Sequence, residues 1–92
     1  MDKITDLSQT TELMSSNDYK KRFIAEYAQI ELRTKRLERV LKSIDDNTCP
    51  KCFKPTCDIE ILKRQLKTMS DYRATLIFRA SIEEIDLPEV EV

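Results

Sequence analysis

The chain has 92 residues, with 16 Lys/Arg against 17 Asp/Glu and neither glycine nor histidine. Without glycine there is no Walker loop, no dinucleotide fingerprint and no glycine to supply a left-handed turn. Without histidine the commonest general base and the commonest metal ligand are missing, so a bound phosphate must rest on side chains and helix N-termini.

One small domain fits this length, and chains of this size commonly add a metal, a disulfide or an oligomer interface to a modest core. Residues 1–16 are polar, with Ile4, Leu7, Leu13 and Met14 scattered among them, and read as a flexible or short-helix N-terminal segment. Ser15, Ser16, Asn17 and Asp18 then form a cluster of helix N-cap residues. Phe23, Tyr27, Ile30, Thr34, Leu37, Leu41 and Ile44 follow at alternating steps of four and three. This is a heptad seam, and with no Pro or Gly across 17–44 it predicts one helix about 40 Å long.

The pattern stops at Asp45-Asp46-Asn47, and the turn assigned to 45–57 carries two prolines that forbid a continuing helix. Thr56 is the expected N-cap of the second helix, with Asp58 and Glu60 in its first turn, and the helix should run to about Glu84. Leu62, Leu66, Met69, Leu76 and Ala80 make one apolar stripe, while Ile61, Tyr72, Ile82 and Phe78 lie off it. The expected fold is therefore all-α: an antiparallel two-helix hairpin over 17–84 with a mobile acidic tail at 85–92. Each helix of such a hairpin covers only one face of the other, which leaves Ile24, Val40, Ile61, Ile77 and Phe78 without a partner. Self-association into a helical oligomer would bury them; the alternative is that the N-terminal segment folds back over them.

Cys49, Cys52 and Cys57 have the spacing C-x2-C-x4-C within the turn. Three readings stay open: a structural zinc site completed by Asp58 or a neighbouring subunit, a redox-active pair, or small residues packing in a turn. No other cofactor is called for. Nothing catalytic is assembled either, since Asp45-Asp46 suits a turn and Ser15, Ser16 and Ser81 have no base in view; the expectation is a binding protein, not an enzyme.

Charge is segregated along the chain. The span 19–79 holds fifteen basic and eight acidic residues, and the remainder holds one basic and nine acidic. The bland reading is solvated helix faces with acidic ends. The sharper one is a basic body for an anionic partner, with acidic ends that disfavour nucleic-acid polymers. Tyr19 beside Lys20, Lys21 and Arg22 offers stacking for a base and charged donors for a phosphate. Arg33, Arg36 and Arg39 continue a basic strip on the first helix, as do Lys63, Arg64 and Lys67 on the second, although i,i+4 surface pairs such as Glu31–Lys35 account for single residues equally well. Arg73 and Arg79 fall in or near the apolar stripes and need an anion, either Glu26 or a ligand phosphate. No stretch reaches a membrane span, and the N-terminus lacks a signal-peptide core, so a cytosolic protein is expected.

The two helices also carry a recognisable pattern. The first reads Tyr19-x-x-Arg22-Phe23-Ile24-x-Glu26-Tyr27, then Ile30, Arg33, Arg36-Leu37 and Val40-Leu41; the second reads Ile61-Leu62, Gln65-Leu66, Met69, Tyr72, Leu76 and Arg79. This resembles the phage helical-hairpin family of anti-CBASS and anti-Thoeris nucleotide sponges and related hairpins of crAss-like phages, over about two-thirds of the chain. The cysteine-rich turn lies outside that pattern. The resemblance implies a homo-oligomer, a hexamer by preference, in the cytoplasm of an infected bacterial host. It would hold a cyclic oligonucleotide or cyclic ADP-ribose-type signal between subunits without cleaving it. The ligand-binding set it implies is Tyr19, Arg22, Arg33, Arg36, Gln65, Tyr72 and Arg79. The rival expectation is a coiled-coil adaptor that binds a protein, with a zinc-stapled turn.

Overall fold

A computed structural model describes residues 3–45 and 57–92, and among them it is all-helical. A 3-10 turn η1 (Leu7–Thr10) and a one-turn helix α1 (Thr11–Met14) precede the two long helices, α2 (Tyr19–Asp45) and α3 (Ile59–Glu83). The molecule measures 42 × 23 × 19 Å, so the 27 residues of α2 set its length.

The helix ends follow from local chemistry. Asp18 opens α2: its carboxylate accepts from the Lys20 N–H at 2.9 Å, while its carbonyl accepts the first helical bond from Arg22 at 3.1 Å. α3 begins one turn's fraction later than expected from Thr56, because Asp58 is the cap and accepts from the Glu60 N–H at 3.1 Å. It ends at Glu84, which takes the left-handed conformation at φ 55°. With no glycine to fill that position, a residue with a Cβ bears a cost of about 1–2 kcal/mol. The bend carries the Ile85 N–H back to the Ala80 carbonyl at 2.9 Å and drives the Ile85 side chain into the core.

The expected seam is present. Phe23, Tyr27, Ile30, Thr34 and Leu41 of α2 are buried, and so are Leu62, Leu76 and Ala80 of α3. Contacts descend α3 as they ascend α2: Tyr19 meets Arg79 and Glu83, and Glu26 meets Tyr72. The two helices therefore lie antiparallel.

The burial of α2 extends beyond that seam. Ala25, Ala28 and Leu32, on its other faces, are also buried, because both ends of the chain fold over this helix. The N-terminal segment is ordered by a capping box at Asp6 and Gln9 and docks through Thr10, whose hydroxyl accepts from Gln29 Nε2 at 2.9 Å. The expected mobile tail at 85–92 packs instead: Ile85 and Val90 are buried. Ile4 and Val90 form a parallel bridge, with Ile4 N–H to Glu89 O and Glu91 N–H to Ile4 O both at 2.9 Å. Alternation of Val with charge suits one residue facing inward and the next facing water. Lys35 Nζ donates to the Val90 carbonyl at 2.7 Å, and the i,i+4 ion pair with Glu31 that its position suggested is not formed. Ile24, expected to lack a partner, is half-buried against the core for the same reason. Ile61, Ile77 and Phe78 remain exposed, as does Ile82.

Of the cysteines, Cys57 is an exposed free thiol just before α3, while Cys49 and Cys52 lie outside the described residues, as does most of the 45–57 turn. Among the described residues no group of metal-ligating side chains assembles, and no helix is long and apolar enough to cross a membrane.

Candidate functional site

A ladder of polar residues runs along the open side of the α2–α3 groove. Tyr19, Glu26 and Arg33 on α2 are seven residues apart, and so are Gln65, Tyr72 and Arg79 on α3. Seven residues are nearly two helical turns, so each trio forms one line with a spacing of about 10.5 Å. Antiparallel packing sets Tyr19 against Arg79 and Glu26 against Tyr72, and the same two lines continue to Arg33 and Gln65, which make no hydrogen bond with each other. Five of the seven residues expected to bind ligand belong to this ladder.

The first rung is the most elaborate. An Arg79 guanidinium N–H donates to the Tyr19 hydroxyl, which in turn donates to Glu83 Oε2 at 3.3 Å. Arg79 also pairs directly with Glu83, one helical turn on, at 3.4 Å. Phe23 forms the floor: the guanidinium carbon lies 4.8 Å from its ring centroid, and the Tyr19 ring tilts against it at 6.5 Å. Tyr19 is 46% exposed, so a phenol face and a cation edge are open to solvent at this end.

In the second rung the Tyr72 hydroxyl donates to Glu26, and both residues are exposed. The third is open: Arg33 and Gln65 are exposed, and the Gln65 amide bonds only Met69 sulfur among the described residues, at 3.6 Å. The two other expected ligands stand apart. Arg22 lies one turn beyond Tyr19 and donates to the Ser16 carbonyl at 2.8 Å, bracing the entry to α2. Arg36 is on another face and donates to the Thr5 carbonyl at 3.2 Å, and Arg39 likewise donates to the Val92 carbonyl at 2.8 Å. These arginines hold the chain ends in place, so the basic strip on α2 is not one continuous surface.

Glu26 or a ligand phosphate was the anion expected for one of Arg73 and Arg79, and Arg73 finds another carboxylate. Glu31, not Glu26, accepts from it at 3.0 Å, and Glu38 lies 3.5 Å from the same guanidinium nitrogen. The Glu31 side chain is 7% exposed and takes a second hydrogen bond from the Tyr27 hydroxyl at 2.8 Å. Burial, followed by that carboxylate, pushes the Tyr27 phenol up to about 12. With both partners supplied internally, this cluster fixes how α2 meets α3 and offers nothing to a ligand.

Two members of the first rung escaped the reading from sequence. Glu83 was counted among acidic terminal residues, and Phe23 as core. The available signal was spacing: Glu83 is four residues after Arg79, and Phe23 four after Tyr19. A separate cleft of about 460 Å³ lies under the C-terminal segment beside Lys20 and Ile24. Glu84, Asp86 and Glu89 line it, so its field opposes an anion, and none of the expected ligand residues reaches it.

Residues 17–82 match the family described as Sequestin, which is more than half of the chain, and the protein belongs to that family. The matched span begins one residue before the Asp18 cap of α2 and ends one residue before Glu83, so it contains both seven-residue trios of the ladder but not Glu83. No curated protein and no solved structure matches the chain.

Proposed function

We propose that this member of the Sequestin family sequesters a small phosphate-bearing signal, of the cyclic nucleotide or cyclic ADP-ribose type, without cleaving it. The observation that carries the reading is the ladder. It sets a stackable phenol, a guanidinium braced on an aromatic floor, and an open Arg33–Gln65 rung along one groove. A ring with a phosphate at each end needs stacking for the base and charged donors spaced along the surface. Arg22, beside Tyr19, adds cationic potential to that end. The family name supports sequestration, and the resemblance to nucleotide sponges supplies the ligand class and the host setting: a phage protein acting in the bacterial cytoplasm.

A groove open on one side buries only part of such a ligand, and a second copy closing over it makes the pocket complete. The exposed apolar residues of α3 (Phe78 at 67% and Ile82 at 65%, one turn apart) provide an adhesive face for that assembly, a hexamer by preference. Calorimetry of the full chain against cyclic di- and trinucleotides and cyclic ADP-ribose isomers tests the proposal, with saturable binding of at least one expected. Absence of binding at micromolar protein sinks it. Native mass spectrometry separates the rival adaptor reading: a closed oligomer carrying nucleotide supports sequestration, whereas a monomer or dimer that captures a protein, with zinc in its turn, supports the adaptor.

A further inference from the structure

We infer that Glu83 and Glu26 are internal stand-ins for the ligand's phosphates: they occupy Arg79, Tyr19 and Tyr72 until a phosphate-bearing molecule displaces them. The inference rests on the sequestration reading and adds a built-in competitor to the same groove. Carboxylate and phosphate oxygens compete for the same charged and hydroxyl donors. In the first rung Glu83 engages both side chains, at 3.3 Å from the Tyr19 hydroxyl and 3.4 Å from one Arg79 nitrogen. In the second, Glu26 takes the Tyr72 hydroxyl.

The position of Glu83 argues against a purely stabilising role. It is the final residue of α3, followed by Glu84, and no basic residue occupies that last turn. A carboxylate is disfavoured by the negative end of a helix dipole, so the helix end offers this acid nothing beyond its i,i+4 pair with Arg79. Its position against Arg79 and Tyr19 gives it a partner instead. The contrast with Glu31 is instructive. That carboxylate is sealed between α2 and α3, whereas a third of the Glu83 side chain and 42% of Arg79 face solvent, so exchange needs no opening of the core. Phe23 holds the guanidinium plane from below, which leaves its edge in place when the carboxylate swings away.

The test compares wild type with Glu83→Gln, Glu26→Gln and, as a charge-matched control away from the ladder, Glu38→Gln. Pyrophosphate is titrated while the Arg79 side-chain resonance is followed by NMR, assigned by its loss in Arg79→Lys. Exposed ion pairs are worth up to about 1 kcal/mol, so Glu83→Gln should lower the pyrophosphate midpoint about two- to fivefold. Glu26→Gln should tighten binding of 3′,3′-cyclic GMP–AMP or cyclic ADP-ribose, measured by calorimetry, by a similar factor. Glu38→Gln should leave both unchanged. An unchanged or weakened midpoint in Glu83→Gln, an equal shift in Glu38→Gln, or no pyrophosphate response at Arg79 in any variant overturns the inference. If pyrophosphate behaves as expected while no nucleotide binds wild type, the sequestration reading falls and the masking of Arg79 stands.

Discussion

The two long helices are similar in length and opposite in environment. α2 is covered on three sides, by α3, by the N-terminal segment and by the C-terminal segment, so that Ala25, Ala28 and Leu32 are buried along with the seam. α3 is covered on one side and leaves Ile61, Tyr72, Ile77, Phe78 and Ile82 exposed. The chain therefore resolves its surplus of apolar surface unevenly. The ends satisfy α2, and the outer face of α3 is the part that an assembly would have to cover. Polar residues divide in the same way: Arg36 and Arg39 bind chain ends, while the ladder remains along the open groove.

The largest expected effect comes from uncovering α2. Removing residues 85–92 deletes the buried Ile85 and Val90, each worth about 1.5–3 kcal/mol, and should destabilise the protein by about 3–6 kcal/mol in urea unfolding. A change below 1 kcal/mol would mean that the segment only rests on α2.

Next in size is the contact between the helices. Arg73→Ala leaves Glu31 buried beside Tyr27 with its charge unpaired. Breaking a buried pair costs about 3–5 kcal/mol, and because Arg73 is a quarter exposed, the lower end is expected in chemical denaturation. Replacing both Glu31 and Arg73 with leucine should recover most of that loss. If the double variant is as unstable as the single, the pair does more than neutralise itself.

A third experiment uses pH. Burial, followed by the Glu31 carboxylate, pushes the folded Tyr27 phenol up to about 12 from its ordinary value of 10.0. The folded state thus holds a proton that the unfolded chain gives up first. The stability this contributes is whole below about pH 10 and is lost as pH rises toward 12, at up to about 1.4 kcal/mol per pH unit. Unfolding free energies measured across pH 9–12 should slope downward, and Tyr27→Phe should flatten the slope.

The smallest effect on monomer stability is expected on the other side of the comparison. Phe78→Glu with Ile82→Glu should change the unfolding free energy by less than about 0.5 kcal/mol, because both side chains already face water. The same double variant should lower the oligomer mass in native mass spectrometry if this face joins copies. An unaltered oligomer would move the interface elsewhere.

Much of this was legible in the residues. Heptad spacing from Phe23 to Ile44 and the stripe from Leu62 to Ala80 placed both helices and most of the buried seam, because amphipathic periodicity is a local property of the chain. The same seven-residue spacing put Tyr19, Arg33, Gln65, Tyr72 and Arg79 on the lines that become the ladder. What the residues could not give was who faces whom. Arg73 meets Glu31 instead of Glu26, Lys35 reaches Val90 instead of Glu31, and Arg36 is drawn to Thr5. Those pairings depend on the relative register of α2 and α3 and on where the ends dock.

The course of the ends was itself decided in three dimensions. Ile4 and Val90 have no periodic context to announce burial, and their bridge forms only because the left-handed Glu84 turns the chain back along α2. Sequence alone determined that the molecule has two amphipathic helices, a glycine-free backbone and more apolar surface than one hairpin seam can hide. Tertiary structure decided which helix would be covered and which arginines would remain along the groove. Periodicity fixes the face a residue occupies on its own helix, but only packing fixes what stands opposite that face.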